Sequence, residues 1–149
     1  MGAAVALHAA ALLPRLAGVA AFGGWTPFEN GRNASSVSVV ATGGNPMIYS
    51  THALLPRLGL FSEALEAPLP YDYPELIAAI APRPILLYAP TGNRFAVPGA
   101  VATAASEASK AWRRPGSSSK NFTFLTPDAP SDFASAEIAA ALRWLRGVL

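Results

Sequence analysis

The side chains best placed for chemistry follow a short apolar segment in the middle of the chain. Residues 85–89 (ILLYA) have the composition of a buried strand, and Thr91-Gly92-Asn93-Arg94 comes directly after them. In open parallel sheets, ligands and catalytic groups gather beyond the carboxyl ends of the strands. Asn93 and Arg94 are therefore the first candidates for a functional site. A plain turn is the competing interpretation for Asn93, because asparagine tolerates left-handed backbone geometry.

The other ionisable side chains near this loop form no motif that identifies a reaction. Asp72 and Glu75 could act as a carboxylate pair, but Glu75 in the first turn of a helix also suits the helix dipole. Asp132 could serve as a base, although its position before a helix favours a capping role. Two histidines, His8 and His52, cannot form a metal cluster by themselves. No metal and no other cofactor is predicted.

Several aromatic side chains adjoin turns and offer walls for a substrate pocket. They are Trp25, Phe28, Tyr71 and Tyr73. Aromatic residues beside turns also pack into cores, where each buries a large area, so both interpretations stay open. His52 precedes LPRLG in a connector, and from there it could approach the mouth of the same site.

Length allows one domain, and the composition indicates little charged surface, which suits helices packed on a buried parallel sheet or a chain that lacks its partner half. The chain has 149 residues, of which 52% are hydrophobic and 13% are charged, against about 25% charged in ordinary soluble domains. The net charge is +2, and no basic stripe is interleaved with aromatic residues, so nucleic-acid binding is not indicated. The absence of cysteine excludes disulfides and thiolate metal sites.

The chain starts with an uncharged run, residues 1–14, in which residues 2–13 are predicted to form a helix that Pro14 ends. The segment is too short to span a bilayer. It could instead be a signal peptide, but a signal carries positive charge before its apolar core, and here Arg15 comes after that core. A cytoplasmic location is therefore favoured over secretion, and no membrane partner is expected.

Apolar runs and prolines predict alternating helices and strands in a single domain, residues 1–149. Helices are predicted over residues 2–13, 74–80, 98–112 and 135–148, and strands over residues 16–22, 85–89 and 121–125. This alternation is typical of right-handed crossovers and a parallel sheet. Residues 25–70 form a long excursion with helical turns expected in residues 50–61. The last helix carries Ile138, Leu142 and Leu145 on one face.

Several segments in this order resemble the C-terminal half of α/β-hydrolases. They are LPRLGLF, PYDYPELIAAIAPRPILLYAPTGNRFA, FLTPDAPSDF and the terminal RWL. The most similar branch is that of the acetyl-xylan esterases and dienelactone hydrolases. The resemblance implies an α/β fold that is a partial α/β-hydrolase, with about three parallel strands and flanking helices. It also implies that the N-terminal half and the nucleophile strand are lacking.

The same resemblance implies a degraded catalytic site. Residues 1–22 look like the helix after the nucleophile elbow G-x-S-x-G, which places Met1 just after the missing serine, where a backbone N–H binds the oxyanion. Asn93 takes the position of the triad acid, and Ser131 and Asp132 take that of the histidine. An amide in place of the acid costs roughly 10⁴ in turnover in a serine protease. Trp25, Tyr71, Tyr73 and Arg94 are the expected substrate contacts.

We therefore expect a truncated or degenerate carboxylic-ester hydrolase that is inactive alone. A small ester would be its substrate only in a completed fold. The first strand would leave an apolar sheet edge, which favours association with a missing N-terminal half or with a second copy. One alternative is a non-catalytic binding or assembly domain of the same fold. Another is a secreted, non-enzymatic protein whose first helix is a signal.

Overall fold

The computed structural model describes residues 2–27, 71–93, 96–130 and 134–148. Its helices are α1 (Gly2–Leu12), α2 (Tyr73–Ala78), α3 (Pro98–Ser109) and α4 (Ser135–Val148). Its strands are β1 (Val19–Phe22), β2 (Ile85–Tyr88) and β3 (Phe122–Leu125). Two 3₁₀ turns, Lys110–Arg113 and Ser119–Asn121, lie between α3 and β3. No helix within these ranges is long and apolar enough to cross a bilayer.

The strands form one parallel sheet in the order β1–β2–β3. Val19 of β1 pairs with Ile85 of β2, and Ile85 pairs with Phe122 of β3. All four residues of the central strand are buried, as expected for a parallel strand with helices on both faces. The predicted α/β class, with three parallel strands and flanking helices, is confirmed.

Helices α1, α2 and α3 cover one face of the sheet. Val19, Ala21, Ile85 and Leu87 point into a core that these helices share. The helices contribute many alanines to it, and small side chains let a helix approach a sheet closely. The largest fully buried side chain on this face is Trp112, whose ring packs 5.0 Å from that of Phe122 between centroids.

Helix α4 covers part of the opposite face. Side chains alternate along a strand, so Leu86 and Tyr88 point away from the main core, and α4 contacts β2 on this side. The helix buries Glu137 and Ala140 against the protein. Its predicted apolar face is present but turned outward: Ile138 is 46% exposed, Leu142 50% and Leu145 40%. The helix is rotated so that a different row of side chains meets the sheet.

The first strand begins three residues later than predicted, at Val19 instead of residue 16. The residues just before Val19 make contacts other than strand pairing. The main-chain oxygen of Leu16 accepts from the Arg83 guanidinium at 3.0 Å. A Cβ on Gly18 would lie 2.7 Å from the main-chain oxygen of Pro84, so only glycine permits this approach.

Candidate functional site at the carboxyl edge of the sheet

The segments that leave β2 and β3 continue side by side beyond the strands. Three main-chain hydrogen bonds extend the pairing, from Ala89 N to Leu125 O (2.8 Å), Thr91 N to Pro127 O (3.0 Å) and Gly92 N to Ala129 O (3.1 Å). The Thr91 hydroxyl adds a bond to Asp128 Oδ1 at 2.9 Å. The loop that carries Asn93 is thereby fastened to the loop that follows β3.

Gly92 lies where these two loops come closest. It forms an isolated parallel bridge with Pro130. A Cβ on Gly92 would lie 2.6 Å from the Ala129 oxygen and 3.1 Å from Pro130 Cα. Both partners are main-chain atoms, which cannot swing aside, so a side chain at this position would push the loops apart.

Asn93 is buried beside this bridge, with 7% of its surface exposed. Its main-chain N–H donates to the Pro90 oxygen at 3.2 Å, and its carbonyl accepts from Ala96 N at 3.1 Å. Asn93 lines a small enclosed cavity together with Gly23 and Trp25 from the end of β1. The ends of β1 and β2 therefore meet at Asn93. Its assignment as a former triad acid stays a prediction.

The chain leaves β1 through two glycines with left-handed backbone geometry. Gly23 has φ 55° and Gly24 has φ 64°, values that cost little only for glycine. The turn carries Trp25 and Thr26 into the interior, where 2% and 4% of their surfaces are exposed. Trp25 Nε1 and Thr26 Oγ1 have no hydrogen-bond partner among the residues that the structure describes. Buried polar atoms are nearly always paired, so these two atoms retain unused hydrogen-bonding capacity, and of the two residues Trp25 lines the cavity.

Thr26 was not among the residues that the sequence singled out. The available signal was its position just after a double glycine at the carboxyl end of a predicted strand. Asp128 was also missed as an individual residue, because it lies in a segment, TPDAPSD, whose composition indicates only a turn. Its bond to Thr91 joins residues that are 37 positions apart, and no local pattern encodes such a contact.

His8 and Tyr71 form a hydrogen-bonded pair between α1 and the segment before α2. His8 Nδ1 lies 2.7 Å from the Ala4 oxygen, and Nε2 lies 2.9 Å from the Tyr71 hydroxyl. Because a carbonyl oxygen only accepts, Nδ1 of the neutral ring carries the proton and Nε2 accepts from Tyr71. Burial raises the pKa of Tyr71 above its ordinary value. Tyr71 is therefore a neutral donor across the physiological range.

Tyr73 joins this pair to Trp25. Its ring centroid lies 6.3 Å from that of His8 and 5.7 Å from that of Trp25. Tyr73 and Trp25 are both buried in the main core, and Tyr71 is only partly buried. Tyr73 and Trp25 therefore pack in the core of this structure, which is the second of the two interpretations that their sequence context allows. The expected substrate contacts of Trp25, Tyr71 and Tyr73 stay predictions.

Asp72 and Glu75 form a reciprocal cap at the start of α2. The Asp72 carboxylate accepts from main-chain N–H groups of the first turn, and Glu75 Oε2 accepts from the N–H of Asp72 at 3.0 Å. This arrangement satisfies amides that a helix start leaves without partners. Among the described residues, no three His, Cys, Asp or Glu side chains lie close enough together to hold a metal ion.

Several predictions concern residues outside the described ranges. These residues are Met1, Phe28, His52, Arg94, Ser131 and Asp132. Most of the predicted excursion, residues 28–70, also lies outside them. The described chain reaches Pro130, which lies opposite Gly92.

A parallel sheet flanked by helices, with its loops joined at the carboxyl edge, defines this chain as an α/β fold. A solved structure described as a promiscuous CE15 esterase from a marine bacterial metagenome matches it with a TM-score of 0.71 at 20% sequence identity. The match covers 99% of this chain and 40% of the esterase chain. The expected partial, esterase-like fold is confirmed. No family profile and no curated protein matches the sequence.

Proposed function

We propose that this chain is the C-terminal portion of a carboxylic-ester hydrolase of the acetyl-xylan-esterase and dienelactone-hydrolase-like branch, and that alone it does not hydrolyse esters. Asn93 carries this proposal. It is buried at the carboxyl edge of the sheet, in the loop after β2, where the resemblance requires the triad acid. Its side chain has the shape of a carboxylate without the charge.

The missing charge matters because the triad acid has two tasks. It holds the catalytic imidazole in the correct tautomer, and it stabilises the imidazolium that forms as the serine is deprotonated. The amide of Asn93 accepts a hydrogen bond, but it supplies no compensating charge. Burial strengthens electrostatic interactions, so the loss of a charge costs more here than at an exposed position.

The histidines of the chain also fit poorly with independent activity. The sequence contains two, His8 and His52. Both ring nitrogens of His8 are engaged, with Ala4 and with Tyr71, and the residue lies on α1 rather than in the loop after β3. In the family pattern that loop supplies the base, and this chain has Ser131 and Asp132 there. The proposal assigns the nucleophile and most specificity contacts to the remainder of the fold, since this chain matches 40% of the esterase.

Hydrolysis of p-nitrophenyl acetate by the purified chain tests the proposal. We expect no turnover above that of the same protein after heat unfolding. Asn93→Asp is expected to remain inactive, because it restores neither a serine elbow nor the histidine. Turnover that Asn93→Ala abolishes, but that the matched variant Asn121→Ala retains, would overturn the proposal.

A non-catalytic binding domain is the second candidate, and one observation favours it. Trp25 Nε1 and Thr26 Oγ1 are buried without partners in the described part of the chain, and Trp25 shares a cavity with Asn93. Such groups suit a small ligand that brings acceptor oxygens. The cavity of about 10 Å³ has room for one water-sized group, so a larger ligand would have to displace the loops that line it. Calorimetric titration with acetate and with ethyl acetate tests this candidate. Binding that is lost in Trp25→Phe, which keeps an aromatic ring and removes the N–H, would support it; the absence of heat with both probes would reject it.

A further inference from the structure

A groove runs between α3 and β3 on the face of the sheet that carries α1. Its volume is about 380 Å³, within the range of about 300–1,000 Å³ that is typical of ligand pockets. The partly buried rings of Phe122 and Phe124 line it along β3, and small side chains of α3 between Ala102 and Ser109 line it on the other side. We name it the α3–β3 groove.

Beside this groove, β3 offers main-chain groups for hydrogen bonding. Among the described strands, β3 pairs with β2 alone. The Leu125 oxygen accepts from Ala89 N at 2.8 Å, and main-chain groups alternate in direction along a strand. The N–H and C=O of Phe124 therefore point away from β2, and so do those of Phe122, whose N–H donates to the Ser119 oxygen. The groove and the hydrogen-bonding edge thus lie along the same two residues.

One end of the groove is positively charged. The turn Lys110–Arg113 ends α3, the turn Ser119–Asn121 leads into β3, and the two turns contact each other at the amino end of that strand. Arg113 lines the groove there, and its guanidinium is exposed together with the neighbouring lysines, Lys110 and Lys120. Residues 109–127 contain four basic side chains and no acidic one. Glu107, the preceding acid on α3, does not line the groove.

We propose that the α3–β3 groove binds an extended acidic peptide of a partner protein, which adds an antiparallel strand to the edge of β3. The main chain of the peptide pairs with Phe122 and Phe124, and its apolar side chains at alternate positions enter the groove. Carboxylates at its C-terminal end meet Arg113. In such strand addition, main-chain hydrogen bonds supply affinity, and pockets for alternate side chains supply specificity. The inference does not involve Asn93 and is independent of the proposed function.

The dimensions of the groove set the length of the bound segment. Strand β3 has four residues, which span about 13 Å at about 3.3 Å per residue. The wall from Ala102 to Ser109 is about 10 Å long at about 1.5 Å per helical residue. Three or four residues of an extended peptide fit this length. Antiparallel pairs are slightly more stable than parallel ones, and the antiparallel direction brings the terminal carboxylate of the peptide to Arg113.

Charge favours an acidic partner over a second copy of this chain. In a homodimer joined through β3, each copy would contribute residues 109–127 to the contact, with four basic groups and no acid. Like charges brought together across an interface oppose association, whereas opposite charges favour it. Carboxylates of an acidic peptide would pair with the basic groups that a second copy leaves without counter-charges.

Fluorescence polarisation tests the proposal with the full 149-residue chain and a labelled probe, Val-Thr-Leu-Thr-Val-Glu-Glu, that has a free C-terminal carboxylate. We expect saturable binding that weakens as salt is added, because salt screens exposed charges. Hydrogen exchange at the Phe124 amide should slow in the complex. The Leu125 amide, which faces β2, should be protected already.

Arg113→Glu should weaken binding of the probe by at least tenfold, because it places a carboxylate where the acidic end of the peptide lies. Arg15→Glu is the matched control and should leave the affinity unchanged. It makes the same change in charge at an exposed position in the turn between α1 and β1, and β1 lies at the other end of the strand order. Circular dichroism verifies that both variants fold.

Two further peptides separate strand addition from simple charge attraction. Gly-Ser-Gly-Ser-Gly-Glu-Glu keeps the acids without the apolar side chains, and the amidated peptide Glu-Glu-Val-Thr-Leu-Thr-Val reverses the direction. Each should bind at least tenfold more weakly than the probe. The proposal would be overturned by a probe that does not bind, by full affinity in Arg113→Glu, or by equal affinity for either control peptide. A homodimer that protects the Phe124 amide would also overturn it. Ester hydrolysis by the chain alone would refute only the proposed function.

Discussion

Arg83 Nη2 donates a hydrogen bond to the main-chain oxygen of Ala10 across 2.6 Å, joining the turn before β2 to the end of α1. Nη1 of the same guanidinium donates to the oxygens of Leu13 and Leu16 at 3.1 Å and 3.0 Å. The main-chain oxygen of Arg83 accepts from Trp112 Nε1 at 3.0 Å. One residue thus joins α1 and the 3₁₀ turn after α3 to the segment that leads into β2.

Arg83→Ala should lower the free energy of unfolding by about 2–3 kcal/mol, because hydrogen bonds to a charged group are among the stronger ones. Arg83→Lys should recover only part of the loss, since a single ammonium cannot span three separated carbonyls. Urea denaturation measures both. Arg113→Ala, at an exposed position, is the control and should change the stability by less than about 0.5 kcal/mol. Equal losses in the two alanine variants would contradict the fastening role.

Gly92→Ala should destabilise the protein by about 1–3 kcal/mol, as overpacking against fixed atoms does. The added Cβ would meet the Ala129 oxygen at 2.6 Å. Thermal unfolding provides the measurement. Gly99→Ala is the control, because nothing lies within 4 Å of a Cβ there and a helical alanine is favoured over glycine. A Gly92→Ala protein as stable as the Gly99→Ala protein would show that the loops are not held this closely.

Asn93→Asp should lower the stability by about 1–3 kcal/mol near neutral pH, because it buries a carboxylate at a position that is 7% exposed. Burial would raise the pKa of the new carboxyl group. The loss should therefore shrink as the pH falls and the group becomes protonated. Urea denaturation at about pH 7 and about pH 5 measures both effects. If Asn93→Asp were as stable as the wild-type protein at both pH values, the site would still accommodate a carboxylate.

In Tyr71→Phe, the free energy of unfolding should fall less steeply at high pH than it does in the wild-type protein. Burial raises the pKa of Tyr71 in the folded protein, so folding favours the neutral hydroxyl. This contribution is fully present below the tyrosine pKa of the unfolded chain and is lost as the pH rises through the folded value. The difference in unfolding free energy between wild type and Tyr71→Phe should therefore narrow above about pH 10. If the difference in unfolding free energy between the two proteins did not change with pH, the prediction would be contradicted.

Local signals were sufficient for most of the secondary structure. Pro74 and Glu75 predicted the start of α2, where Asp72 and Glu75 form the cap, and ILLYA predicted β2. Helix α4 has the predicted bounds. Caps, prolines and apolar runs act on neighbouring residues, so their effects can be recognised in a short window. The parallel sheet followed from the alternation of helices and strands.

The candidate site was predictable only in part. The position of the Asn93 loop at the carboxyl edge followed from the order of the elements. The contact with Trp25, the bond between Thr91 and Asp128, and the close approach at Gly92 join segments far apart in the chain. Each depends on how β1, β2 and β3 are placed relative to one another, which no local pattern specifies.

By itself, the sequence determined the elements, their parallel order and the presence of an apolar row on α4. The tertiary structure alone decided that this row is exposed, and that Arg83 joins α1 to the turn before β2. The physical reason is that an apolar pattern identifies only the side chains whose removal from water lowers the free energy. What covers them depends on the packing of segments distant in the chain, and that packing also selects the partners of each buried polar group.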